Sequence, residues 1–262
     1  LLPSLVIAEQ MDKVIAELVP VPDEKRFEIT IKERCTENDI KRAKEGGTIK
    51  ESKIRCPNPV CAAHAAPLSL GSIRREGSDG LRLWEANDIV PEPGDVFQER
   101  LYCIRWEERQ GGRIAGHFCA PTSEDFRNEE RVLALLKERF VSWQENGYIP
   151  SMKIEPGEET SRLQRERGWT YWHHLFNPRQ LLYHGLLAET GNRFASKKNE
   201  NVVMMLTLGR CADWDSKLCR WDPTREYIPQ TFYNQALNTL YNYAGRGFQY
   251  INPTWNLNIT GE

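Results

Sequence analysis

Two stretches set polar and charged side chains inside apolar, helix-like runs, where core packing alone would keep them on an outer face: Leu175–Leu182 and Gly209–Trp221. In the first, Pro178 follows Asn177, an N-cap type, which puts Arg179 and Gln180 in the first turn of a helix. A guanidinium there could hold a phosphate or carboxylate, or could brace two helices by pairing with Asp213 or Asp215. In the second, Arg210, Asp213, Ser216 and Arg220 are separated by three, three and four residues and would share one helix face. That face fits a nucleic-acid backbone, with Ser216 as a neutral phosphate contact, and fits an interhelical salt-bridge network equally. Trp214 and Trp221, seven apart, would also share a face, either as a stacking platform for an unpaired base or as core.

Thiols raise a separate possibility. Cys56 and Cys61 flank a proline-containing knuckle able to aim two thiolates at one zinc, with His64 as a third ligand and Cys35 as a fourth. The alternative is a metal-free pair of thiols. His173, His174 and His184 lack the spacing of a zinc-protease helix and read as surface or capped histidines. No nucleophile elbow, phosphate-cradling glycine loop or His-Glu-x-x-His is present, which argues against independent enzyme activity.

The elements that must position these residues follow from periodicity, and the expected class is α+β. Ile7, Met11, Val14 and Leu18 recur at helical spacing, so residues 1–25 are expected to form a helix and linker. Residues 26–120 read as a β-rich insert with runs at Phe27–Ile31, Thr48–Ile54, Leu81–Trp84, Leu101–Ile104 and Arg113–Phe118. Cys103 and Cys119 fall inside such runs, and Gln110–Arg113 is a hairpin-turn candidate. Residues 121–262 read as helical. Thr122–Asp125 opens a helix whose stripe is Val132, Leu133, Leu136, Phe140 and Trp143. A polar loop follows over 150–168, then helices near 177–195, 200–220 and 228–244, the last with Phe232, Ala236, Leu240 and Tyr243 on one face.

Composition narrows the classes further. A net charge of −2 over 262 residues removes the simplest sign of nucleic-acid binding without excluding a local arginine cluster. No apolar run reaches membrane-spanning length, and the seven cysteines, odd in number and scattered, do not read as a disulfide framework. A cytoplasmic protein with no membrane partner is expected.

Phe176–Leu182, Gly209–Trp221 and Thr231–Leu237, together with Phe97–Trp106 and Ala120–Asp125 upstream, resemble the middle of the family of adenine-specific DNA methylases that carry a zinc-ribbon insert and are often found beside anti-phage defence genes. The blocks occur in family order and cover most of residues 48–240. The resemblance implies a larger α/β methyltransferase using S-adenosylmethionine, with Cys56 and Cys61 as the second cysteine pair of a four-cysteine ribbon. It also implies contact with DNA, with the remainder of the methylase chain or with defence-complex proteins, the contacts falling to Arg179, Gln180, Arg210, Trp214, Ser216 and Arg220. The family's glycine-rich donor-binding turn and its Asp-Pro-Pro-Tyr loop are missing, Asn252–Trp255 being the nearest approach. The chain thus reads as an excised central segment that positions DNA while the chemistry lies elsewhere, or as a non-enzymatic interaction module.

Overall fold

The computed structural model describes residues 1–10, 12–21, 24, 26–74, 81–110, 113–194, 197–233 and 236–246. Met11, the 111–112 tip of the expected hairpin turn and Asn252–Trp255 lie outside them. Helices and small antiparallel sheets give the expected α+β class. The chain divides into two compact units. Unit 1 comprises Leu1–Leu81, Gln98–Phe126 and Asp222–Tyr227, and unit 2 comprises Arg82–Phe97, Arg127–Trp221 and Ile228–Glu262. Among the described residues no helix is long and apolar enough to cross a membrane.

Unit 1 begins with strands where a helix was expected. Val6–Ala8 (β1) pairs antiparallel with Val14–Pro20 (β2), which pairs with Phe27–Lys32 (β3). The helical spacing of Ile7, Val14 and Leu18 misleads because Val14, Ile15 and Ala16 are all buried in succession, as in a strand covered on both faces. Helix α1 (Glu37–Glu45) supplies the cover, with Ile40 and Ala43 packing against Val6, Ile15 and Cys35. Thr36 and Asp39 cap α1 reciprocally. Those Thr36 bonds, with the Arg42 guanidinium, hold the Asp39 carboxyl well below the ordinary range.

The run 48–54 folds back on itself instead of continuing as one strand. Glu51 and Ser52 both take positive φ, giving a two-residue turn between β4 (Ile49–Lys50) and β5 (Lys53–Ile54). Short helix α2 (Ala62–Ala65), strand β6 (Leu68–Ser69), which pairs with β5, and helix α3 (Leu70–Ile73) follow. The expected hairpin is present as β7 (Ile104–Gln110) against β8 (Arg113–Cys119), although Leu101–Cys103 precedes the strand. Cys103 is half-buried, and burial, with the Cys119 thiol adding to it, pushes its thiol up to about 12.

Unit 2 is mainly helical. Helix α4 (Ser123–Glu145) opens on reciprocal bonds between Thr122 and Asp125 and carries Leu136, Phe140 and Trp143 into a core with Ile89, Ile149 and Leu181. A second core gathers Trp84, Ile154, Leu163, Trp169, Leu175, Leu218 and Leu237. Leu81–Trp84 forms no strand. Arg82 is fixed by Asp88 and Asp95, and the Trp84 backbone N–H donates to the Gly168 carbonyl, so ion pairs and one backbone bond stand in for a sheet partner.

The expected loop at 150–168 contains helix α5 (Thr160–Arg167). One fully buried leucine, Leu163, anchors it, too few apolar positions to register as a period. A 3-10 turn (Trp172–Leu175) leads to α6 (Pro178–Phe194) and α7 (Lys198–Trp214). Gly185 lets α6 close on α4, since a Cβ there would overlap the Trp143 ring. Among the described residues 228–246 contains no helix. Phe232 is 58% exposed there, so the apparent stripe does not face a core.

Candidate nucleic-acid interface

The first turn of α6 is locked by paired bonds: the Gln180 N–H donates to Asn177 Oδ1 (2.9 Å), and the Asn177 N–H donates to Gln180 Oε1 (2.9 Å). This capping arrangement frees the Gln180 amide NH2, which donates to Asp215 Oδ1 at 3.0 Å. The same carboxylate oxygen accepts the Arg246 backbone N–H at 3.0 Å. Asp215 is 5% exposed, and burial raises its carboxyl to about 6 despite these donors. His184 points Nε2 toward Asp215 Oδ2 at 3.9 Å, too far for a hydrogen bond, and burial lowers its imidazole to about 4.

Gln180 is therefore a buried brace between α6 and the end of α7, 2% exposed, and its amide does not face solvent. Gln180→Ala is expected to lower stability by about 2–3 kcal/mol, because Asp215 loses a donor and the Asn177 N–H an acceptor. Asn177→Ala should cost about 1 kcal/mol, the usual loss of a cap. Equal midpoints for the two variants in thermal denaturation would contradict this assignment.

Arg179, its neighbour, faces outward. Its guanidinium pairs with Glu129 of α4 and not with Asp213 or Asp215, and half of its side chain stays exposed. At the far end of α7, Arg210 pairs with Asp213 at 3.5 Å and lies 5.0 Å above the Trp214 ring, over which Arg246 also sits, at 4.5 Å. The helix stops at Trp214, so the four-residue face expected from Arg210 to Arg220 does not form, nor do Trp214 and Trp221 share a helix. Asp215 takes φ −147 and ψ 75, and the chain turns inward.

That turn removes Ser216 from any phosphate. Ser216 is 1% exposed, its Oγ lies 2.8 Å from Thr231 Oγ1, and it accepts the Leu218 N–H at 3.1 Å. Lys217, a residue the spacing gave no reason to single out, is fully buried with Nζ 4.9 Å from the Trp84 ring centroid and 5.4 Å from that of Trp169. Arg220 emerges again on the surface, 5.3 Å over the Tyr233 ring. Of the residues expected to touch nucleic acid, Arg179, Arg210 and Arg220 present charge to solvent, Trp214 is half-buried beneath two guanidiniums, and Gln180 and Ser216 are internal.

The histidines are buried rather than superficial. His173 and His174 are 0% and 1% exposed with ring centroids 4.3 Å apart. His174 Nδ1 accepts the Thr170 and Tyr171 N–H groups at 3.1 and 3.2 Å, which fixes the proton on Nε2, 3.0 Å from the Glu85 carbonyl. Burial lowers His173 to about 4, and burial with the neighbouring His173 lowers His174 to about 2.

In unit 1 the thiols separate. Cys56 and Cys61 lie within contact of each other; burial, with the Cys61 thiol adding to it, raises the Cys56 thiol. Asn58 anchors their knuckle by donating to the Glu24 and Arg26 carbonyls at 2.6 and 2.8 Å. His64 turns Nδ1 to the Cys56 carbonyl at 3.1 Å. Cys35 is packed in the core under α1, with Sγ on the Lys32 carbonyl at 3.2 Å. Among the described residues no group of three or more His, Cys, Asp or Glu is arranged to hold a metal ion. The four residues therefore do not fit a complete tetrahedral zinc site.

No protein-family model, curated protein or solved structure matches this chain.

Proposed function

We propose that this chain is the target-positioning segment of an S-adenosylmethionine-dependent, adenine-specific DNA methyltransferase-like protein, with the methyl-transfer chemistry supplied by other sequence. The observation that carries the reading is the division of labour within the two motif segments. Asp215, Gln180, Ser216 and Lys217 turn inward and fix the local fold, while Arg210 and Arg220 stay at the surface of unit 2 beside aromatic rings. Guanidiniums held on rings keep their charge available to phosphate at low entropic cost. Methylation of an exocyclic adenine nitrogen needs the base out of its stack, so a segment that grips the strand beside the extruded base has a defined task.

Binding of this chain to fluorescein-labelled DNA across a salt series tests the reading. Affinity should fall steeply with salt, and Arg210→Ala with Arg220→Ala should reduce the log–log slope by about 1.4 on a single strand, two phosphate contacts at ~0.7 each. Absence of binding to single-stranded and duplex DNA at low salt would overturn it.

A second reading rests on α7. Val202, Met205 and Leu206 are 51%, 66% and 64% exposed at helical spacing, and Phe194 at the end of α6 is 74% exposed. An apolar helix face of this kind suits a partner protein, as in a defence-associated complex. Complex formation through it would change little with salt, which separates it from DNA binding.

A further inference from the structure

We infer that Phe232 and Tyr233 form a stacking platform for unpaired bases, so that the nucleic acid received by unit 2 is a single strand. This rests on the nucleic-acid reading above and specifies what that site takes. Phe232 and Tyr233 are adjacent in sequence and 58% and 54% exposed, an arrangement unlike apolar residues scattered singly over a surface. Their backbone is also tied down. The Thr231 N–H donates to the Asp213 carbonyl at 2.6 Å, the Phe232 N–H to Asp213 Oδ1 at 3.3 Å, and the Tyr233 N–H to the Gln230 carbonyl at 3.3 Å. Thr231 itself is buried, its hydroxyl 2.8 Å from Ser216 Oγ and 3.4 Å from Cys219 Sγ. The internal hydroxyl and thiol groups thus mount the two outward rings.

The charge around them selects the ligand. Arg220 lies over Tyr233, and Asp213, which carries the Phe232 N–H, also pairs with Arg210. Exposed rings flanked by guanidiniums match a strand that offers flat bases and phosphates in alternation. A duplex hides its base faces within the stack and would engage only the guanidiniums. A backbone already fixed under the rings lowers the freedom lost on binding.

The test uses this chain with an oligonucleotide carrying 2-aminopurine, supplied single-stranded and as a duplex. Binding to the single strand should quench 2-aminopurine fluorescence, as stacking does. Phe232→Ala with Tyr233→Ala should abolish the quench and weaken single-strand affinity by roughly 10-fold or more per ring, with the salt slope unchanged. Arg210→Ala with Arg220→Ala should lower the slope while leaving a quench at saturation. Salt-sensitive binding without a quench, or wild-type single-strand affinity in the double aromatic variant, would overturn the platform and leave the methylase reading standing. No binding in any form would overturn both. Both rings are exposed, so circular dichroism of the variants should match the parent.

Discussion

Acidification from pH 7 to pH 5 is expected to cost unit 2 a net of roughly 5 kcal/mol of stability, chiefly because its three internal imidazoles are held neutral. His173 and His184 take up a proton at about 4 and His174 at about 2 in the folded protein, against 6.5 for the free side chain. Each therefore binds its proton more readily when unfolded. The stability it contributes is complete above about pH 6.5 and is lost as pH falls toward the folded values. At 1.36 kcal/mol per pH unit, each imidazole loses about 2 kcal/mol by pH 5. Asp215 acts with the opposite sign. Its folded carboxyl takes a proton at about 6 against 3.8 when free, so acid relieves a buried charge and returns about 1 kcal/mol. Urea unfolding followed by tryptophan fluorescence at the two pH values reads the difference, and His184→Phe should remove about a third of the histidine contribution. An unchanged midpoint would show that the rings are not held neutral.

Gly168→Ala should destabilise by about 3 kcal/mol or more, while Gly147→Ala should cost only about 1 kcal/mol, although both glycines have nearly the same backbone angle. Gly147 has φ +72 and Gly168 φ +73, so both variants pay for a left-handed alanine. An added Cβ at Gly147 meets nothing within 4 Å. At Gly168 it would fall well under 3.0 Å from the Arg82 carbonyl oxygen, a backbone atom that cannot swing aside. Relief would require moving the segment that carries Arg82 to Asp88 and Asp95 and Trp84 into the core. Thermal unfolding of the two variants side by side checks this. Similar losses would mean that the approach of Arg82 to Gly168 is loose.

What could be read in the sequence was set by how locally each feature is determined. The α+β class, the start of α4 at Thr122, its stripe through Trp143 and the cap at Asn177 depend on neighbours three or four residues away, and all four are found. The N-terminal strands are not legible because burial on both faces erases alternation. The helix around Leu163 is not legible because one anchor has no period. In the candidate site, the surface arginines could be named from the motif. The inward turn of Ser216 and Lys217 could not, since it depends on Asp215 meeting Gln180, thirty-five positions earlier in the chain. Capping chemistry at Asn177 and Gln180 was the available clue that Gln180 is occupied. Burial of His173 and His174 had no local sign, their partners being backbone groups as distant as Glu85.

The chain passes between the two units five times, at 81/82, 97/98, 126/127, 221/222 and 227/228. Neither unit is thus a stretch that a gene boundary could deliver whole. A truncation that reaches inward past residue 81 from the N-terminus or past residue 228 from the C-terminus removes pieces from both, and a cut between any two of the segments leaves at least one unit divided between the products. Shuffling or fusion with other proteins must carry this region as a single inheritable block, since only the contiguous stretch supplies both units with all their parts.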